Sequence, residues 1–516
     1  MMQATEYNLR RETVPVPVQH SGLMQEQSVE LDYVLPDYYP DFFRLLSASA
    51  NAEITGQQLR DGVLDYAMTV RLTVLYCAAP EQSAAVQAVH QQLEYRRQFA
   101  IPPELAVADV QAEIAAEPAY LNCRAVSGRR MDLRGAVRIR IRLHGVQSRG
   151  VLTAAEGKYL QSRSEPVSYV SQLLHTEKQF SLSDDLTIPP AQPPLLAILR
   201  QRITPAVTET RIVAGKMLIK GEAAVDLLYA SQNGMETLHA ALPFSQIAEQ
   251  EGIADDMPCI VTAECAGFLI TPEAQQDGDL RTLHCDLQIS LRCTAVRTAS
   301  GSFLTDLYST VHPCEVHREM LPLLSAPVQF SESRRMKMTL RSDDRILTKV
   351  YAAWAEPEEV QTIPDETGST VQGMLHCCVM ASDETGVPLM LEQREPFTWT
   401  LPELPAEAVL PPLTVASCTY TLTGSDTVAV QPELSLSGQI MLPQNVSLLT
   451  DAEIEANVPL PQEDDYALRL YFGQAQESVW EIAKRYHTAA DAIRAENDVP
   501  EDVLTQPRLL LIPNVR

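Results

Sequence analysis

The sequence predicts a multidomain, mainly β protein, with three tandem β-rich domains followed by a small C-terminal βααβ unit. Three observations predict it. Stretches alternating apolar and polar residues dominate the chain up to about residue 445, a strand-like pattern recurs three times, and only the last fifty or so residues show a compact helical stripe. At 516 residues the chain exceeds the roughly 250–300 at which single cores stop growing. Its 45% apolar and 21% charged residues suffice to fill several cores.

Each strand follows from a period of two. In AMTVRLTVLYC, Val70, Leu72, Val74 and Tyr76 alternate with Thr69, Arg71 and Thr73; in AVRIRIRLHGV, Val137, Ile139, Ile141 and Leu143 alternate with Arg138, Arg140, Arg142 and His144. Successive strand residues point to opposite faces, so one set enters a core and the other meets water. The pattern recurs: LDYAMTVRLTVLYCA ends in Leu75-Tyr76, GKMLIKGEAAVDLLYAS carries Leu228-Tyr229, and MKMTLRSDDRILTKVYAA carries Val350-Tyr351. Phe99, Phe244 and Phe397 follow, and alternating strands close each copy (LRGAVRIRIRL, LHCDLQISLRCTAV, AVQPELSLSGQIML). This spacing far exceeds the 20–50 residues of a solenoid or propeller, so the copies read as consecutive domains at 1–150, 190–300 and 322–447, with a fourth unit at 465–516. PVSYVSQLLHTEKQ, with Val170 and Leu173-Leu174 on one face, reads as a helix-like connector, and PPAQPPLLAILRQR as a proline-marked boundary.

A net charge of −27 disfavours nucleic acid, whose phosphates demand a basic surface. The amino-terminal residues contain no apolar signal core, and no run reaches the roughly 18 apolar residues of a membrane span, so the expectation is a cytoplasmic protein. Ten scattered cysteines without a CxxC pair suit reduced thiols.

The combination LDYVLPDYYPDFFRLLSASANAEITG, a strand ending Leu-Tyr, and Pro243-Phe244-Ser245 with Glu251-Gly252-Ile253 resembles the SPOCS domain of spore-coat morphogenetic proteins. The second copy matches best. The third, with its acidic EPEEVQTIPDETGS, diverges most.

At the C-terminus, Val479, Ile482, Ala483 and Tyr486 form an i, i+3, i+4, i+7 stripe. Thr488 with Asp491 reads as a cap for a second helix through Ala492-Ile493, and ALRLYF and RLLLIP as flanking strands. This βααβ order, with SVWEIAKRY, Asn497 and Leu511-Ile512-Pro513, resembles the LysM domain, a binder of N-acetylglucosamine glycans. The resemblance places ligand contacts in the two loops and helix 1: Gln476, Glu477, Ser478, Trp480, Asn497 and Pro507. The first loop has Gln476-Glu477-Ser478 where the family commonly has Gly-Asp-Thr, and the second has Pro507 without the family's glycine. These departures weaken a glycan reading and leave the fold intact. Trp480 admits two readings, a stacking contact for a partner or a core residue.

No nucleophile elbow, P-loop, dinucleotide fingerprint or HExxH motif occurs, so the expectation is a protein with no enzymatic activity, no cofactor and no metal. His312, Cys314 and His317 lack a second ligand pair, and Cys377-Cys378 beside His376 lie on a strand whose neighbouring residues face opposite ways. Asp277 in DGDLRT reads as a turn and Glu463-Asp464-Asp465 as the linker into the last unit. Tandem SPOCS-like domains with LysM resemble the SipL-like coat proteins. That resemblance implies a scaffold of coat assembly at the forespore surface in the mother-cell cytoplasm, docking on the coat's basal-layer ATPase or other coat proteins. The alternative is a spore-envelope protein anchored by LysM on peptidoglycan.

Overall fold

The computed structural model describes residues 7–78, 86–102, 110–274, 278–365, 368–402, 404–405, 408–461 and 467–514. Asp277 and the Glu463-Asp464-Asp465 linker lie outside them. Up to Ile454 the described elements are all strands, and two short helices follow.

One topology is built three times. A long strand β1 (Asn8–Val34) leads into a meander of β2 (Phe42–Arg60), β3 (Val63–Ala78) and β4 (Val86–Ala100); β5 (Gln111–Ser127) and β6 (Arg130–Glu156) follow, and β6 pairs with both β1 and β5. The second copy repeats this: β7 (Leu160–Thr187) and β11 (Cys259–Ala274) flank β12 (Leu280–Ser309), with a meander of β8 (Ala197–Val213), β9 (Lys216–Ser231) and β10 (Gly234–Glu249). The third is fragmented. Its first strand is split into β13 (Cys314–Leu324), β14 (Val328–Arg335) and β15 (Met338–Arg341), its meander is β16 (Leu347–Asp365), β17 (Gly368–Asp383) and β18 (Pro388–Pro402), and β19 (Leu413–Leu422) pairs with β20 (Thr427–Ile440), which continues as β21 (Pro443–Ile454).

In each copy the two sheets share one apolar core. Val137, Ile139, Ile141 and Leu143 are buried as their alternation requires, and Arg140 on the other face pairs with Glu117 at 2.9 Å. Tyr76 and Tyr229 are buried with their hydroxyls donating to the carbonyls of Pro40 (2.8 Å) and Pro193 (3.2 Å), which satisfies the one polar atom each carries into the core.

Further apolar cores join the copies. The first strand of each copy is much longer than its sandwich needs, and its amino-terminal half pairs with the carboxy-terminal half of the last strand to make a ribbon (β1–β6, β7–β12, β13–β21). Three ribbons bury one shared set: Val14, Val16 and Val151 from the first, Val167, Tyr169 and Phe303 from the second, and Leu321, Leu323 and Leu448 from the third. The positions are equivalent by register, since Val151, Phe303 and Leu448 oppose Glu12, Glu165 and Glu319. Each ribbon bulges at one threonine, Thr153, Thr305 and Thr450, whose hydroxyl donates to the carbonyl of Arg10, Arg163 and His317, each at 3.4 Å. A bulge leaves an extra residue unpaired and sharpens local twist, and here a hydroxyl bridges the gap. Around this hub, Asp306 pairs with Arg318 of the next ribbon at 3.2 Å and Asp451 pairs with Arg11; the third junction has Ala154 and Ser164 instead.

A second core joins the meanders. Each meander's first strand bulges at Leu46, Leu199 and Tyr351, and these pack with Leu75, Leu228 and Met380 of the middle strands. β4 lies against β8, β10 against β16 and β18 against β2, so the copies close a ring.

This geometry corrects several sequence expectations. The Val350-Tyr351 pair does not match Leu75-Tyr76: Tyr351 is the counterpart of Leu46 and Leu199, and Met380-Ala381 occupies the Leu-Tyr position. Opposite these middle strands, Phe244 and Phe397 pair with Gly221 and Gly373, and the corresponding residue of the first copy is Tyr95, four residues before Phe99. PVSYVSQLLHTEKQ is not helical but lies within β7; a bulge at Ser171 adds one residue between Val170 and Leu173, which turns a spacing of two into a spacing of three that imitates a helix. Counted from first strand to last, the copies run 8–156, 160–309 and 314–454, and the proline cluster at 189–194 is a turn inside the second copy.

Phe303 is fully buried among all three ribbons. Phe303→Ala is expected to cost about 3–5 kcal/mol, lowering the denaturation midpoint of the full chain; an unchanged midpoint contradicts the shared core.

Candidate interaction site

The last elements are β22 (Leu468–Gly473), α1 (Val479–Arg485), α2 (Ala490–Asn497) and β23 (Arg508–Pro513), with β22 and β23 antiparallel, so the expected βααβ order is present. Helices of seven and eight residues are too short to stand alone. They persist because Val479, Ile482, Ala483, Ile493, Leu510 and Ile512 form one core. Thr488 does not cap α2, whose N-cap is Ala489; Thr488 is buried one residue earlier, and its hydroxyl donates to the Pro513 carbonyl at 2.7 Å. The segment between the helices must reach the closing strand, and this contact outweighs the cap.

Of the six residues expected to form a binding surface, Trp480 and Asn497 are buried, and Gln476, Glu477 and Ser478 stand together in the first loop. Asn497 is buried as a clasp: its Nδ2 donates to the carbonyls of Ile493 (2.8 Å) and Leu511 (2.7 Å), and its Oδ1 accepts from the Leu511 amide at 2.7 Å. The two loops are laced together. Gln476 N donates to Leu504 O at 2.8 Å, Leu504 N to Glu477 O at 2.9 Å, Val479 N to Asp502 O at 2.6 Å, and the Ser478 hydroxyl to Asp502 at 3.0 Å. Gln476, at φ 70°, adopts the left-handed conformation that glycine takes most readily. Glu477 accepts from the Tyr471 hydroxyl (2.6 Å) and the Gln474 amide (3.0 Å); burial raises its pKa, but these bonds and Arg485 hold it below its ordinary value. Pro507 is exposed at the outer end of the second loop.

Trp480 is only 6% exposed and faces the hub. Its Nε1–H donates to Asp306 at 2.7 Å, and its ring meets Tyr308 edge to face at 4.9 Å. Lys484, one turn along α1, contacts both oxygens of the same carboxylate at 2.7 and 2.9 Å. The Tyr308 hydroxyl donates to the Thr488 carbonyl at 2.8 Å, and Arg163 of β7 pairs with Asp502 at 3.3 Å. Asp306 thus gathers Trp480, Lys484, Arg318 and the Leu307 amide. Burial alone would raise its pKa; the bonds from Lys484 and Trp480 prevail and hold it below the usual carboxylate range.

With α1 turned to the hub, the opposite face of the β22–β23 sheet is left in water. Leu468, Leu470, Phe472 and Leu509 stand there 45%, 65%, 57% and 56% exposed, with Leu511 between them opposite Leu470. Exposed apolar side chains are common singly, whereas adjacent ones on one sheet face mark an interaction surface.

Asp306, Tyr308 and Lys484 were not among the expected site residues. The available signal was the repeat Leu152-Thr153-Ala154, Leu304-Thr305-Asp306 and Leu449-Thr450-Asp451, which sets Ala154, Asp306 and Asp451 at equivalent places in the three ribbons. His312 is buried with Nδ1 bonded to the Val458 carbonyl at 3.1 Å, and it forms no ligand cluster with Cys314 and His317 among the described residues.

Asp306→Ala strands Lys484 and Trp480 without their acceptor and is expected to cost about 3 kcal/mol, read as faster amide hydrogen exchange throughout α1; unchanged exchange contradicts the docking. Because the folded pKa of Asp306 is depressed, its stabilisation is complete above its unfolded value of about 3.9 and is lost as pH falls through the folded value. Amide exchange in α1, corrected for intrinsic rates, should therefore be constant from neutrality to about pH 4 and rise below it, and the rise should be absent from Asp306→Asn.

Comparison with known proteins places one match on the second copy. No curated protein and no solved structure matches the chain. Residues 195–268, which span β8 to β10 and most of β11, match the family model described as SipL, SPOCS domain. That match supports grouping the chain with SipL-like, sporulation-related coat proteins.

Proposed function

We propose that the chain is a non-enzymatic scaffold of endospore coat assembly, with three SPOCS-like copies forming a closed ring and a LysM-like unit serving as a protein-binding handle. It works in the mother-cell cytoplasm at the forespore surface, and its partner is a protein of the coat's basal layer, the polymerising ATPase being the foremost candidate. The SPOCS match in the second copy supports the sporulation setting. The observation that carries the handle is the exposed apolar face of Leu468, Leu470, Phe472 and Leu509, on a unit whose other side is fixed to the hub. Fixing one side removes the rotational freedom that binding would otherwise have to freeze, so the surface is presented in one orientation. The laced loops favour protein over glycan, because several loop amides and the Ser478 hydroxyl already have acceptors within the chain.

A fluorescent fusion of the full chain should gather at the forespore in a sporulating cell, and a fusion diffuse throughout the mother cell contradicts the scaffold reading. The pair Leu470→Ser and Phe472→Ser should render it diffuse while leaving the thermal melt within a few degrees of the parent, since both side chains are already largely in water. Salt-resistant pelleting with purified peptidoglycan, lost on Gln476→Ala with Ser478→Ala, would instead establish the glycan alternative.

A further inference from the structure

β17 and β18 are paired so that Cys378 lies directly across from Glu392, and His376 precedes Cys378 by two residues on the same face. Cys377 points the other way, into the sandwich core, so the adjacent cysteines are divided as strand geometry requires. The Nε2 of His376 lies 3.4 Å from the Cys378 Sγ and 3.4 Å from a Glu392 oxygen, and all three ligand atoms fall within 4.8 Å of one another. Four-coordinate zinc with bonds of about 2.0–2.3 Å sets neighbouring ligand atoms roughly 3.3–3.6 Å apart. The two spacings made by His376 match those edges.

The surroundings are those that a metal site requires beyond its ligands. The other ring nitrogen of His376, Nδ1, lies 3.1 Å from Glu358, the carboxylate-on-histidine contact that fixes the tautomer of a metal-bound imidazole. Glu358 is itself held by Arg394 at 2.9 Å. The second oxygen of Glu392 accepts from the Ser47 hydroxyl at 2.9 Å, and Ser47 belongs to β2 of the first copy. A divalent ion here, together with Arg394, would balance the thiolate and the two carboxylates. The equivalent pairs of the other copies are Thr73 with His90 and Asp226 with His239, so this ligand set occurs in the third copy alone.

We propose that His376, Cys378 and Glu392 bind a single zinc ion, with one coordination position open, at the joint where the third copy closes the ring onto the first. A borderline-soft ion suits a set of one sulfur, one nitrogen and one oxygen, whereas magnesium and calcium require oxygen ligands. Binding displaces a proton from the Cys378 thiol and clips β17–β18 in place against β2.

The test titrates the full chain, stripped by chelator, with Co²⁺ as the spectroscopic stand-in and then with Zn²⁺. The expected result is one Co²⁺ per chain with tetrahedral visible bands and a thiolate-to-cobalt charge-transfer band, all displaced by Zn²⁺. Cys378→Ser should lose the charge-transfer band although nine other cysteines remain. Should that variant fail to fold, Glu392→Gln, at an exposed position, and Ser47→Ala keep the test decisive. Both should retain the band while weakening affinity, Ser47→Ala about 10–100-fold and Glu392→Gln at least as much, and parental affinity in Glu392→Gln overturns the site. Absence of stoichiometric binding, or a full spectrum in Cys378→Ser, overturns the site.

Discussion

The molecule depends on an apolar core that no single repeat can close. Val14, Val167 and Leu321 meet with Val151, Phe303 and Leu448, two from each ribbon, so each copy extends a strand pair beyond its sandwich to complete the others. A two-stranded ribbon is marginal in water by itself. Three of them, each burying one face against the other two, satisfy a requirement that none could meet alone. The strand lengths of 27 to 30 residues in β1, β7 and β12, far above the usual 3 to 10, follow from this double duty.

The same repetition decides where the C-terminal unit sits. Its contact pair on the second ribbon is Asp306 and Tyr308; the equivalent residues are Ala154 and Glu156 in the first ribbon, and Asp451 and Glu453 in the third. The first lacks the carboxylate that Trp480 and Lys484 need. The third has an equivalent carboxylate in Asp451, but Glu453 stands where the Tyr308 ring packs against Trp480. Removing either half of a buried charge pair is costly even where the intact pair contributes little net stability, so this arrangement acts through specificity. One docking position of three equivalent ones is selected, and the apolar face of β22–β23 is held outward as a consequence.

Much of this was legible in the residues. Period-two alternation located the strands of the sandwiches, and the stripe Val479, Ile482, Ala483 located α1, because both are local patterns set by one buried face. What local patterns could not supply was the partner of that face. Trp480 was balanced between surface and core until Asp306, 174 residues away, fixed it. Bulges misled most: Ser171 made a strand look helical, and the bulge at Tyr351 drew the third repeat out of register. Glu392 was missed for a similar reason, since the strand places His376 and Cys378 on one face while the third member of the cluster arrives from across the sheet.

The three copies form one closed body through the hub. The most direct measurement is amide hydrogen exchange on β1 and β7 in a chain ending at Ser309, compared with the full chain. Without Leu321, Leu323 and Leu448, the ribbon halves at Thr13–Val18 and Pro166–Val170 are predicted to lose their protection while the sandwich strands β3 and β9 keep theirs. Ribbon protection equal to that of the full chain would contradict the account.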